Sequence, residues 1–163
     1  MRISRKLAIQ KIFEKHGKYA MYITNTGYIS RAVYDMFPDM ENIFYMQGSM
    51  GMAPCIGLGM AMNSDRDIVV LSGDGALLMQ MGITHTIRDA RLRNLSVYVL
   101  DNGVHESVGS YRVSPLMKDL AGRSWYPGIT NILKIKKDGK LPRVGIDCKQ
   151  NTENIKEYLS DDE

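Results

Sequence analysis

Apolar residues along this chain recur with two periods, one of a helix and one of a strand, and the two alternate. From Ile3 to His16, Leu7, Ile9, Ile12 and Phe13 fall at helical spacing among charged residues, and Gly17 closes the helix. Tyr19 to Thr24 is a short strand. Asn25-Thr26-Gly27 turns the chain into a helix over about 29–37, which Pro38 stops. Ile43 to Met46 is the next strand. Gly48 to Met62 is dense in Gly, Ala and Met, which lets a helix lie close to a sheet or a partner. A strand at 67–72, a helix at 76–90 and a strand at 95–100 follow. A short helix after Pro115, weaker strands at Ile129–Ile135 and Val144–Asp147, and a helix at Glu153–Leu159 complete the chain. This alternation predicts an α/β fold, a parallel sheet with helices on both faces. No repeat or low-complexity tract interrupts it, so residues 1–163 read as one domain.

Composition changes this picture little. The chain has 163 residues, 44% of them hydrophobic, which suits a real core. A formal net charge of +3 is too small to argue for nucleic acid. The basic residues Arg2, Arg5 and Lys6, and later Lys134, Lys136, Lys137 and Lys140, read as solvated faces. The acidic tail at 160–163 reads as a frayed end. No apolar run approaches a membrane span, and charges throughout residues 1–20 argue against a signal peptide. Cys55 and Cys148 have no metal-ligand spacing, and Cys55 reads as a buried small hydrophobe. A reducing cytoplasm is the expected location.

The chemistry lies in two short motifs, each directly after an apolar strand. Asp67-Ile68-Val69-Val70-Leu71-Ser72 runs into Gly73-Asp74-Gly75-Ala76, and Leu95-Ser96-Val97-Tyr98-Val99-Leu100 runs into Asp101-Asn102-Gly103. In a parallel sheet, ligands bind outside the carboxyl ends of the strands. Residues 74 and 102 are separated by about one crossover unit, so Asp74 and Asn102 reach the same rim. A carboxylate, a carboxamide and nearby carbonyls suit Mg²⁺, completed by phosphate oxygens and water. Taken singly, Asp74 reads equally as a helix N-cap and Asn102-Gly103 as a tight turn. The pairing after two strands favours the metal. A nicotinamide-type nucleotide fold is the weaker rival, because no G-x-G-x-x-G follows a strand.

The pair resembles the diphosphate-binding signature of thiamine diphosphate enzymes, Gly-Asp-Gly and then, one crossover later, Asn-Asn. Asp101 stands at the first Asn of that pair and Asn102 at the second. The resemblance extends along the chain. Thr24-Asn25-Thr26-Gly27-Tyr28-Ile29-Ser30-Arg31 is similar to the Thr-Thr-Gly-Tyr-x-x-Arg segment of phosphonopyruvate decarboxylases. Phe44-Tyr45-Met46-Gln47-Gly48-Ser49-Met50-Gly51 resembles their Phe-Tyr-x-x-Gly-Ser-Met-Gly, and Leu100-Asp101-Asn102-Gly103-Val104-His105-Glu106-Ser107 their Leu-Asp-Asn-Gly-Val-His-Asp-Ser. Sulfopyruvate decarboxylases share the metal motif and Gly-Ser-Met-Gly but commonly have Ala-Tyr in place of Val104-His105. The family continues Ser-Thr-Gly-Gly-Gln where this chain reads Ser107-Val108-Gly109-Ser110-Tyr111.

The resemblance implies a thiamine diphosphate-binding fold and a set of roles. Asp74, Asn102 and the Val104 carbonyl would hold Mg²⁺. Gly73, Gly75 and Ala76, with Thr26 and Gly27, would meet the diphosphate. The Gly48 carbonyl and the Met50 side chain would serve the pyrimidine and the bent shape of the cofactor. His105, Ser107, Arg31, Arg112 and Arg143 are candidates for the acidic head of the substrate, His105 being the best placed. For His105, a plain backbone contact is an equal reading. The family also uses a pyrimidine-binding domain that supplies an activating glutamate. The expectation is therefore the small (beta) subunit of a split 2-oxo acid decarboxylase in a hetero-oligomer with a pyrimidine-binding alpha subunit. Its expected substrate is 3-phosphonopyruvate, giving phosphonoacetaldehyde and CO₂ as in phosphonate biosynthesis. A sulfopyruvate decarboxylase beta subunit and a non-catalytic cofactor-binding module are the alternatives.

Overall fold

The computed structural model describes residues 2–114, 131–137 and 139–160. Six parallel strands form one sheet: β1 (Ile3–Ser4), β2 (Met21–Thr24), β3 (Ile43–Tyr45), β4 (Ile68–Gly73), β5 (Leu95–Asp101) and, numbered last in the chain, β8 (Asn131–Lys136). Their order across the sheet is β1-β8-β5-β4-β2-β3. A small antiparallel hairpin, β6 (Val104–His105) and β7 (Tyr111–Arg112), stands apart, with a 3₁₀ turn at Glu106–Val108 between them. The helices are α1 (Arg5–His16), α2 (Tyr28–Met36), α3 (Ala53–Met62), α4 (Asp74–Met79), α5 (Ile83–Ala90) and α6 (Cys148–Ser160).

The expected α/β architecture is present. Successive residues of each strand feed opposite faces. Tyr22, Val69, Leu71 and Leu100 join α1 and α2 in one core, while Met21, Ile23, Ile68, Val70, Val97 and Val99 join α3, α5 and α6 in the other. Helices on both faces explain why β4 reads as a continuous apolar run. On the first face, Phe13 stacks between Tyr22 and Phe37, with ring centroids 3.9 and 4.0 Å away.

The boundaries differ from the sequence expectation in several places, each with a local cause. Ile3 is not helical. It pairs with Ile135 across β1 and β8, and Ser4 caps α1 by accepting from the Leu7 amide at 3.1 Å. Leu7 is turned outward and 40% exposed. The segment Gly48–Met52 stays outside α3. The helix expected over 76–90 is two helices, α4 and α5, parted at Gln80–Gly82 where Gly82 favours a break. Residues 144–147 form no strand. The free edge of β3 is capped by Asn151 of α6, which accepts from the Tyr45 amide at 2.9 Å and donates to the Ile43 carbonyl at 2.8 Å. Helix α6 itself starts at Cys148, earlier than expected. The helix expected after Pro115, and residues 129–130, lie outside the described residues. Cys55 is only half-buried, not fully so.

The topology has one reversal that matters for function. From β2 the chain moves to β3 on one side and then returns to β4 on the other. The carboxyl ends of β2 and β4 therefore flank a topological switch point, where a crevice opens above the sheet.

Candidate functional site

A narrow cleft of about 60 Å³ lies at that switch point. It is lined from β2 and its turn by Asn25, Thr26 and Tyr28, from β4 and α4 by Gly73, Asp74, Gly75 and Ala76, and from the end of β5 by Asn102, Val104, His105, Glu106 and Ser107. Met50 reaches it from the Gly48–Gly51 loop, and Arg5 from the start of α1. A cofactor resting here would lie mostly outside so narrow a cleft. A larger groove, about 780 Å³, opens near Asn63 and Asp65 at the opposite end of β4. It gathers none of the motif residues.

Asp74 and Asn102 are brought together as the motif spacing predicts. The Asp74 carboxylate accepts from the Gly103 amide at 3.0 Å, so the first motif grips the turn of the second. Asp74 opens α4 and Gly73 stands at the cap, so Asp74 is not the N-cap of this helix. Although it stands at the rim formed by the strand ends, Asp74 is buried, at 2% exposure. Asn102 is held at both ends: its Oδ1 accepts from the Val104 amide at 3.0 Å and its Nδ2 donates to Glu106 at 2.9 Å. The two contacts fix which end of the carboxamide is oxygen.

Charge bookkeeping singles out Asp74. Asp101, buried beside it, pairs with Lys134, and Glu106 pairs with buried Arg5. Asp74 is met by the Gly103 and Gly75 backbone amides and, among the described residues, by no cationic side chain. Burial, and next the charge of Asp101, raise its pKa to about 6, against the pull of the Gly103 and Gly75 amides. A divalent cation would supply the missing charge. The donor set fits Mg²⁺: hard oxygens from a carboxylate, a carboxamide and the backbone at Val104. Among the described residues no group of three or more His, Cys, Asp or Glu could hold a metal. Further oxygens would have to come from a ligand and water.

Three glycines couple the motifs sterically. Gly51, at φ +96°, lies where a Cβ would stand 2.7 Å from the Ala76 carbonyl and 2.9 Å from the Met79 side chain. The Gly48–Gly51 loop is thereby pressed onto α4, and the Gly51 amide donates to Asn25 at 3.3 Å. A Cβ on Gly75 would run into the His105 ring, so His105 sits directly over the start of α4. Ser107 lies across Gly27, its Oγ 3.3 Å from where a side chain there would begin.

Other expected residues are placed elsewhere. Gly48 is exposed and does not line the cleft. Arg31 donates to the Leu141 carbonyl at 3.2 Å and stacks over Tyr28. Arg112 and Arg143 are exposed and outside the cleft. Conversely, Arg5 and Lys134, read from the sequence as solvated, pair with acids of the site, Glu106 and the buried Asp101. Glu106, Asp101 and Asn25 stand inside the quoted motifs, but the motifs gave them no role. For Glu106, its place four residues after Asn102 was the available signal.

The family described as thiamine pyrophosphate enzyme, C-terminal TPP binding domain, matches residues 11–135 of this chain. A phosphonopyruvate decarboxylase from Streptomyces viridochromogenes is 38% identical over 119 residues, which cover 73% of this chain and 30% of that protein. A sulfopyruvate decarboxylase subunit beta from Methanocaldococcus jannaschii is 38% identical over 104 residues, 64% of this chain and 55% of that one. The chain thus spans about a third to about half the length of these relatives. An X-ray structure described as a thiamin diphosphate-dependent enzyme from Mycobacterium smegmatis shares the fold, with a TM-score of 0.62 at 16% identity, over 83% of this chain and 32% of that one.

Proposed function

This chain belongs to the thiamine pyrophosphate enzymes, through their C-terminal TPP binding domain, and on that premise we propose that it is the diphosphate-binding beta subunit of a split 2-oxo acid decarboxylase. The observation that carries the reading is the meeting of Asp74, Asn102 and Val104 in one cleft with Thr26 and the start of α4. In this reading the Asp74 and Asn102 side-chain oxygens and the Val104 carbonyl hold Mg²⁺. Thr26, Gly27 and Gly73, with the first-turn amides of Gly75 and Ala76, receive the diphosphate where the helix start turns its backbone donors outward. Gly48 offers its carbonyl to the pyrimidine, and Met50 gives apolar support. When bound, the cofactor supplies the electron sink that lets a 2-oxo acid lose carbon dioxide.

The activating glutamate comes, in this proposal, from a separate pyrimidine-binding alpha subunit. Relatives named as subunit beta support that organisation. So does the surface: Met50 and Met79, which the close approach of Gly51 to α4 brings near each other, are both exposed, and exposed apolar side chains grouped at a site mark interaction surfaces. Residues 1–163 form one domain in this account. No helix among the described residues is long and apolar enough to cross a membrane. A cytoplasmic location is part of the proposal and is supported by the two free cysteines.

For the substrate we favour 3-phosphonopyruvate, because His105 lines the cleft beside Ser107. A phosphonate carries more negative charge near neutral pH than a sulfonate and gains more from an added donor. The second reading, sulfopyruvate, is favoured by the relatives that are themselves named beta subunits. The test is co-expression with the pyrimidine-binding partner and an aldehyde assay on phosphonopyruvate, sulfopyruvate and pyruvate. Turnover of phosphonopyruvate above the others, and none by the partner-free chain, is the expected result. Steady turnover by rigorously purified chain alone overturns the split-site proposal.

A further inference from the structure

We infer that Arg5 and Glu106 form a positioning pair that aims the Asn102 carboxamide oxygen at the metal, an inference resting on the Mg²⁺–diphosphate reading above. The chain of contacts is short. Arg5 Nη2 donates to Glu106 Oε2, and the same Oε2 accepts from Asn102 Nδ2 at 2.9 Å. Held at Nδ2, the carboxamide cannot turn its nitrogen toward the Asp74 side of the cleft. Its oxygen stays with the Val104 amide and keeps a second lone pair for a cation.

Stability alone does not account for the pair. Arg5 is 1% exposed, and its Nε and Nη1 are buried without a hydrogen-bond partner. A buried ion pair with unspent donors is no more stable than well-packed apolar side chains, and often less. Its position explains it better. Arg5 opens α1 immediately after the Ser4 cap that ends the strand paired with β8, and Tyr28 lies under its guanidinium at 5.4 Å. The guanidinium is therefore fixed by backbone elements from two sides. A rigid cation holding the carboxylate that holds a ligating amide is the arrangement by which outer groups tune a metal site. Lys134 on Asp101 is the parallel contact beside Asp74.

The test is a double-mutant cycle read by Mn²⁺ uptake, followed by electron paramagnetic resonance. It is done on the chain assembled with its pyrimidine-binding partner, at saturating thiamine diphosphate. Glu106→Ala should weaken Mn²⁺ binding about ten- to a hundredfold. In an Asn102→Ala background the same change should have almost no effect, because the residue it positions is gone. A merely structural role would weaken binding equally in both backgrounds, and that additivity overturns the inference. Should Glu106→Ala fail to fold, the paired replacement Arg5→Met with Glu106→Leu keeps the volume and removes both charges. It should melt at or above the wild-type temperature and still lose Mn²⁺ affinity by about tenfold, while unchanged affinity in that variant overturns the pair. If Asn102→Ala alone leaves Mn²⁺ affinity intact, or the wild type takes up none, the metal reading itself has failed and the pair falls with it.

Discussion

The interior of β4 and β5 and the carboxyl ends of the same two strands obey opposite rules. Inside, Ile68, Val69, Val70 and Leu71 lie beside Val97, Val99 and Leu100, all buried and apolar. Within a few residues the same strands deliver Asp74 and Asp101 into surroundings almost equally buried, at 2% and 1% exposure. Burying apolar surface stabilises the fold, whereas burying acids side by side opposes it. The contrast teaches which residues answer to folding and which answer to a ligand. Interior side chains are explained by what they touch. Of the acids at the rim, Asp101 is offset by Lys134 and Glu106 by Arg5, while Asp74 has only backbone amides among the described residues.

The largest expected effect separates the two regions from the folding side. Leu71→Ala removes a fully buried side chain between β2 and β5 and should cost about 2–5 kcal/mol by denaturant unfolding. Below its unfolding transition, the assembled variant should bind thiamine diphosphate and Mg²⁺ as the wild type does. A matching loss of affinity would erase the distinction between interior and rim.

Next comes a pH dependence that has the opposite sign to an ordinary paired carboxylate. Burial and Asp101 raise the Asp74 pKa to about 6 in the metal-free protein, while an unfolded Asp titrates near about 3.9. Between those values the folded state holds more protons than the unfolded state. This group's contribution to stability therefore falls as pH rises through the window, by roughly 2–3 kcal/mol in all. Asp74→Asn should abolish that part of the slope and be the more stable metal-free protein above about pH 6. Thermal melts of both proteins across this range are the check, and parallel pH profiles would refute the buried-acid account.

The smallest effect concerns the substrate. His105 packs on Gly75 at the cleft, and a hydrogen bond to a charged group is typically worth about 1.5–3 kcal/mol. His105→Tyr should lower kcat/KM for phosphonopyruvate about ten- to a hundredfold and affect sulfopyruvate less. The assay needs the assembled enzyme with saturating cofactor. Equal losses on both substrates would move His105 out of the substrate site.

The sheet interior was legible in the sequence because its signal is local. Runs such as Ile68–Leu71 declare a strand buried on both faces, and Gly73-Asp74-Gly75 with Asn102 declares a rim by spacing alone. What was not legible depends on distant pairing. Arg5 looks like one more surface cation until β1 docks on β8 and carries it to Glu106, 101 positions away. Lys134 becomes a partner of Asp101 by the same docking of β8 on β5. The division of residues 76–90 into two helices and the missing strand at 144–147 were also hidden, since Asn151 closes the β3 edge from far along the chain. Local patterns predict elements; buried charges are assigned only when the sheet is assembled.

In the proposed function, Asp74 and Asn102 hold a metal–diphosphate group at the switch point. Calorimetric titration of thiamine diphosphate into the assembled complex, with and without Mg²⁺, tests it most directly. The wild type should bind only with Mg²⁺, Asp74→Ala should lose the metal-dependent heat entirely, and Asn102→Ala, which removes a neutral ligand, should weaken it by about tenfold or more, the loss of one charge-assisted contact. Wild-type affinity in both variants would contradict the account.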